Sequence, residues 1–314
     1  MTDPTATPAS TADAPATVAT AGTILVGVDA ETPSLRALEW ALRRAARTGA
    51  RVVAAWTVTS HESDDDAERA LTERLREARV AVEALDAADP GPRPDRPDTD
   101  DQHPDAPARP ALEAELLHGD VVGSLLARAA TADLLVIGTN YTPSVVGRLR
   151  GTRALKLADD APVPVVIVPD VELGGRRGIV VGVDGTDKDA PAVPWAAAEA
   201  AASGDELVLL NAAALPVGAV PAYADADEVQ DAVVAAARDT VNAIAARVRE
   251  AHPDLEITGR ITSELPVVAL SEAGATASLV VVGSRGLGVL RRFLQGSVSA
   301  EVVLTLAGPV AIVS

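Results

Sequence analysis

Ile24-Leu25-Val26-Gly27-Val28-Asp29 recurs 155 positions later as Ile179-Val180-Val181-Gly182-Val183-Asp184. The same shift carries Trp40 onto Trp195 and Gly49 onto Gly204. Further on the shift falls to 145, because Leu134-Leu135-Val136-Ile137-Gly138 reappears as Leu279-Val280-Val281-Val282-Gly283, and Gly151 as Gly296. The ten-residue difference places an insertion in the first copy. A 314-residue chain is long enough for about two domains, and this repeat makes them two copies of one unit.

Each copy opens with a short β-branched run that reads as a buried strand. In the first copy the strand is Thr23 to Val28. An amphipathic helix follows over Ser34 to Thr48, ending at Gly49, and then a second strand over Arg51 to Val58. Strand, helix and strand within roughly forty residues make a right-handed crossover unit, whose repetition predicts a doubly wound parallel sheet covered by helices on both faces, the α/β class. The remaining first-copy elements are helices at Asp64 to Ala88, Val121 to Ala130 and Thr152 to Ala158, with strands at Leu112 to Leu117, Leu134 to Ile137 and Val163 to Val168. In the second copy the strands are Ile179 to Val183, Glu206 to Leu210, Leu255 to Thr262, Leu279 to Val282 and Pro309 to Val313. Its helices are Ala190 to Ser203, capped by Asp187 or Asp189, then Asp225 to Ala251, Val267 to Ala275 and Val298 to Leu306.

Composition divides the rest. Residues 1–21 are Ala, Thr and Pro with little to bury and are expected to form a disordered tail; the Pro- and Asp-rich stretch at about 89–110 is the insertion, expected to be disordered as well. The expected organisation is thus a first domain over 22–170, a linker over 171–177 and a second domain over 178–314.

A formal net charge of −18 argues against nucleic acid or an anionic membrane surface as the main partner. The chain has no cysteine, which removes disulfides, a thiol nucleophile and cysteine-ligated metal. No apolar run reaches a span of ~20 residues, and the N-terminus has neither a basic nor a hydrophobic export segment, so the expected location is the cytoplasm. His61, His103, His118 and His252 show no metal spacing, and Trp40 and Trp195 are expected in the core.

The chemistry concentrates at Gly283-Ser284-Arg285-Gly286, nine residues, and Gly296-Ser297-Val298-Ser299. Glycines where a strand gives way to a loop allow a close approach of backbone, and the free N–H groups at the start of the next helix suit a phosphate. The Walker loop and the dinucleotide fingerprint both fail on spacing. The pattern Gly-x2-Gly-x9-Gly-Ser/Thr is complete at Gly283, Gly286, Gly296 and Ser297, and resembles the ATP-binding signature of the universal stress protein family. The likeness extends from about residue 22 to the end as two tandem copies. It also rests on the Val-Gly-Val-Asp starts, the Trp-bearing first helices, the turns at Gly119 and Pro266, and the Pro-Val-x-x-Val fifth strands.

This resemblance implies two five-stranded parallel-sheet domains paired through their fifth strands as an intramolecular pseudo-dimer. It also implies ATP as ligand, with Mg²⁺. In the second copy Asp184 would face the ribose or the metal-bound phosphates, and the backbone at Ala212 would meet adenine. Val282, Gly283, Arg285 and Gly286 would line ribose and phosphates, with Gly296, Ser297, Val298 and Ser299 on the β and γ phosphates. The first copy is a degenerate version: Asp29, Thr57, Gly138, Gly151 and Thr152 match, but Tyr141 stands at the second glycine and Ala154 at the position of Ser299. Arg153 could supply charge to an anion there, and Arg285, Arg291 and Arg292 are basic residues beside the second-copy site.

Ser297 reads as a phosphate ligand, because no histidine lies in the motif to activate it as a nucleophile. Three readings stay open. The first is an ATP-binding regulator, in which nucleotide shifts a conformational or assembly equilibrium sensed by a regulatory partner or a second copy. The second is a slow ATPase or phosphotransferase at the same site, and the third an ATP-free interaction module.

Overall fold

The computed structural model describes residues 22–88, 110–139, 145–185, 191–215, 225–283 and 307–314, with the backbone alone over 145–152. The first half runs β1 (Thr23–Val28), α1 (Thr32–Thr48), β2 (Arg51–Val58), α2 (Asp64–Ala88), β3 (Leu112–His118), α3 (Val121–Ala129), β4 (Leu134–Thr139), α4 (Val145–Asp160) and β5 (Val165–Pro169). The second runs β6 (Ile179–Gly182), α5 (Ala192–Ser203), β7 (Leu207–Ala212), α6 (Ala226–Ala251), β8 (Ile257–Thr262), α7 (Pro266–Gly274), β9 (Leu279–Gly283) and β10 (Val310–Val313). The expected tail, the insertion over 89–109 and the helix Val298 to Leu306 lie outside the described residues.

The ten strands of the described residues form one sheet in the order β3-β2-β1-β4-β5-β10-β9-β6-β7-β8. Every pairing within a half is parallel; the single antiparallel ladder is β5 with β10, where Val166 faces Ala311 and Val165 and Ile167 face Ile312 and Val310. Under the 145 shift Val166 and Ala311 are equivalent positions, so a pseudo-two-fold axis passes through this pair. The apolar fifth strands thereby hide each other's edges, and the outer edges β3 and β8 carry Glu113, Glu115 and Arg260 instead.

The helices divide between the faces. On one face α1, α2, α5 and α6 cover a single apolar cluster that is continuous across both halves, from Leu38 and Trp40 to Ala196 and Val241. On the other face two separate clusters lie under α3 with α4 and under α7. Gly49 and Gly204 end α1 and α5 in the same left-handed conformation, φ 72° and 70°, and donate to Ala45 O and Ala200 O. The repeat is therefore kept down to its helix caps.

Several boundaries differ from expectation, and three helix starts bear on the rims. Helix α1 begins at Thr32, with Pro33 in its first turn. Helix α5 takes its N-cap at Pro191, without a side-chain cap, while Asp187 and Asp189 lie outside the described residues. Helix α4 starts at Val145, seven residues before the expected Thr152, because Val145 to Arg150 contain no proline to stop it.

The segment joining the halves is held at both ends. Arg36 on α1 meets Glu172 Oε1 at 3.0 Å and Asp170 at 3.6 Å. Arg176 donates to the carbonyls of Glu172 (2.7 Å), Gly274 (2.6 Å) and Ala307 (2.8 Å), joining the segment to the end of α7 and the approach to β10.

Candidate functional site

The strand order turns between β6 and β9: the chain leaves β6 through α5 on one face, and reaches β9 through α7 on the other. Such a switch point opens a crevice at the carboxyl ends of the two strands. The register fixes what stands there. Gly182 pairs with Leu210, so Asp184 is level with Ala212; Val181 pairs with Val281, so Val183 is level with Gly283. Neighbouring strands lie about 5 Å apart, so these three sequence-predicted positions share one rim.

Local bonds hold that rim. Val183 N donates to Leu210 O at 2.9 Å and Ala213 N to Thr262 O at 2.7 Å. Gln230 on α6 donates from Nε2 to Ala213 O (2.9 Å) and lies 3.1 Å from Ser263 Oγ, fixing the backbone just past Ala212. Asp184 is exposed, and Ala212, Val282 and Gly283 are half-buried. A Cβ built at Gly283 would have its nearest described neighbour at Ala192 Cβ, 3.9 Å away. Arg285, Gly286, Arg291, Arg292, Gly296, Ser297, Val298 and Ser299 lie outside the described residues.

The first half presents the same rim. Asp29 is level with Thr57, and Val28 with Gly138. Asp29 Oδ1 accepts the Glu31 N–H at 2.9 Å and its carbonyl accepts the Ser34 hydroxyl at 2.8 Å, a turn that starts α1. The buried Thr57 hydroxyl lies 3.3 Å from Ser124 Oγ. A Cβ at Gly138 would stand 2.5 Å from Ser34 N and closer still to the Pro33 carbonyl. Here the glycine admits the first turn of α1. Gly151 and Thr152 fall inside α4 rather than at its start, where N–H groups are committed to the preceding turn. Ala154 is buried in the core and Arg153 is exposed; Tyr141 lies outside the described residues.

Three features of these rims were not read from the sequence. Pro33 at the helix start is a signal for the earlier beginning of α1 that seals Gly138. Gln230 gives no such signal, since a lone glutamine on a helix is usually solvated. Thr139, at the end of β4, is buried with no hydrogen-bond partner for its Oγ1 among the described residues.

Among the described residues no group of three or more His, Asp or Glu is placed to hold a metal ion by itself, and no helix is long and apolar enough to cross a membrane. With the two-copy architecture and its paired rims in view, comparison with known proteins is decisive. The universal stress protein family matches residues 20–169 and again residues 175–314. The chain belongs to that family. It is 28% identical over 298 residues to a universal stress protein of Mycolicibacterium smegmatis, covering 92% of this chain and 96% of that protein. It is also 28% identical over 211 residues to a universal stress protein of Mycobacterium tuberculosis, 63% of this chain and 64% of that one. A solved universal stress protein from Archaeoglobus fulgidus shares the fold, with a TM-score of 0.56 at 16% identity over 93% of this chain and 96% of that chain.

Proposed function

We propose that the protein is an ATP-binding regulator whose nucleotide site lies at the carboxyl rim of the second half. The observation that carries this reading is the register at the switch point between β6 and β9, which sets Asp184 level with Ala212 and Val183 level with Gly283. In the first half Gly138 lies against the first turn of α1, and Gly151 and Thr152 fall inside α4. The ribose and phosphates would lie over Gly283, adenine against the backbone at Ala212, and the triphosphate toward Arg285, Gly286, Gly296, Ser297, Val298 and Ser299. The exposed Asp184 carboxylate suits Mg²⁺, which is commonly held by one or two carboxylates together with substrate phosphates. Magnesium there would neutralise phosphate charge. Charge-assisted bonds contribute about 1.5–3 kcal/mol each, so several support micromolar affinity, roughly −8 kcal/mol. Binding would bias conformation, assembly or partner contact to the extent that it differs between states.

The test is nucleotide released by heat from freshly purified protein, together with equilibrium binding of ATP and Mg²⁺ to wild type and Gly283→Ala. About one ATP per chain, lost in the variant, is the expected result. Two per chain would overturn the asymmetry. ADP with measurable turnover would favour a slow ATPase or phosphotransferase, and no binding at all would leave an ATP-free interaction module.

A further inference from the structure

Arg44 on α1 and Glu199 on α5 form a buried ion pair, with Arg44 Nε 2.9 Å from each carboxylate oxygen and Nη2 also bonded to Oε1. Their side chains are 7% and 5% exposed. The two residues are 155 positions apart, the shift that superposes the first helix of one copy on that of the other. They occupy the same position in the two copies, and the pseudo-two-fold axis that crosses the sheet at Val166 and Ala311 crosses the helices here.

We propose that this pair is a pairing code that selects the other half of the chain as partner and rejects association between like halves. At a two-fold axis a like-with-like pairing sets each residue against its own copy. Two first halves would bury Arg44 against Arg44, and two second halves Glu199 against Glu199. Only first with second joins opposite charges.

The apolar contacts around the axis do not discriminate in this way. Ala37, Ala41 and Ala45 on α1 are matched by Ala192, Ala196 and Ala200 on α5, and Trp40 by Trp195. The ladder residues Val165, Val166 and Ile167 face Ile312, Ala311 and Val310, a set that would pair with its own kind equally well. Discrimination therefore falls on the charged contact between α1 and α5, Arg44 with Glu199, with Arg47 also in the field of Glu199 and Asp205. It matters most during synthesis, when the first half has folded and its fifth strand is uncovered before the second half exists. The code leaves two arrangements: internal pairing, and reciprocal exchange of halves between two chains.

The test uses full-length chains. Tagged Arg44→Glu and untagged Glu199→Arg each carry like charges at the axis, but complement each other between chains. Refolded together from guanidinium, or co-expressed, they should yield a mixed two-chain complex at least about tenfold above a tagged and untagged wild-type mixture, because a buried like-charge contact is strongly disfavoured. The doubly swapped Arg44→Glu/Glu199→Arg chain should behave as wild type and form no mixed complex. Arg44→Met/Glu199→Met should stay folded yet give several-fold more multi-chain species than wild type on refolding at rising concentration, since the hydrophobic replacement keeps packing and removes selectivity. The proposal is overturned if the two reversed chains fail to associate with each other, whether they are folded or insoluble, or if the methionine chain refolds with the wild-type distribution.

Discussion

Gly138 at the end of β4 lies against the backbone of Pro33, so that the first turn of α1 occupies the volume a side chain would need. Its counterpart Gly283 meets nothing among the described residues nearer than Ala192 Cβ at 3.9 Å. In the second half the residues equivalent to Pro33 and Ser34, Lys188 and Asp189, lie outside the described residues; the close packing of helix on strand is established at Gly138.

Alanine at each of these two glycines reads packing apart from binding. Gly138→Ala forces α1 away from the sheet, and overpacking of this kind costs about 1–3 kcal/mol. Gly283→Ala adds a methyl whose nearest neighbour among the described residues is Ala192 Cβ at 3.9 Å, and should leave the denaturation midpoint nearly unchanged while weakening ATP binding. Urea unfolding of both variants checks this; equal losses of stability would mean that Gly283 is as closely packed as Gly138.

Thr139 supplies a second prediction from the same rim. Its Oγ1 is buried without a partner among the described residues, and an unsatisfied buried polar group costs about 1–3 kcal/mol. Thr139→Val, similar in shape, should raise stability by about 1 kcal/mol in nucleotide-free protein. A lower unfolding midpoint would show that the hydroxyl is bonded in solution. If the gain disappears on adding ATP, the first half binds nucleotide after all.

The fold was legible because the repeat and the strand periodicity are strong: strands β1 and β2 and helix α2 fall where the pattern puts them, and Gly49 and Gly204 end their helices as glycines should. The rims were only partly legible. Register places Asp184, Ala212 and Gly283 together, and the strand-end positions alone suggested it. What sequence did not reveal was the condition of the first rim. The spacing of Gly138, Gly151 and Thr152 matches a phosphate site, yet α4 runs through the last two and Pro33 closes on the first. Spacing along the chain says where a backbone can approach, not whether a helix of the same chain already occupies the place. The Arg44–Glu199 contact was hidden for a related reason, since its partners lie in different copies and meet only once the halves are docked.

Arg176 should matter more than its place in a connecting segment suggests. Its guanidinium bonds three backbone carbonyls, those of Glu172, Gly274 and Ala307, and burial pulls its pKa below the ordinary arginine value. Hydrogen bonds to a charged group contribute about 1.5–3 kcal/mol, so Arg176→Met should cost about 2–3 kcal/mol. Lysine should rescue little, because one ammonium does not reproduce the planar fork. Hydrogen exchange should quicken at β10 and at the end of α7; unchanged protection there would show that the tether is dispensable.

Glu39 on α1 gives a pH dependence. Its side chain is 1% exposed and 3.0 Å from Arg36. Burial raises its pKa, and the bond and charge of Arg36 offset this only in part. A carboxyl with a raised pKa in the folded state keeps its proton there after the unfolded chain has released it. Between the unfolded and folded values the native state therefore binds more protons, and stability falls as pH rises through that window. This carboxyl's contribution is most favourable below the unfolded value, and is lost once pH has passed the folded one. Glu39→Gln, which holds the neutral form at every pH, should flatten the slope of stability against pH just above the usual carboxylate range and be no less stable than wild type at neutral pH. Chemical denaturation of both proteins across that range reads it directly. A Gln variant clearly less stable at pH 7, with the slope unchanged, would mean that the attraction of Arg36 outweighs the burial of Glu39.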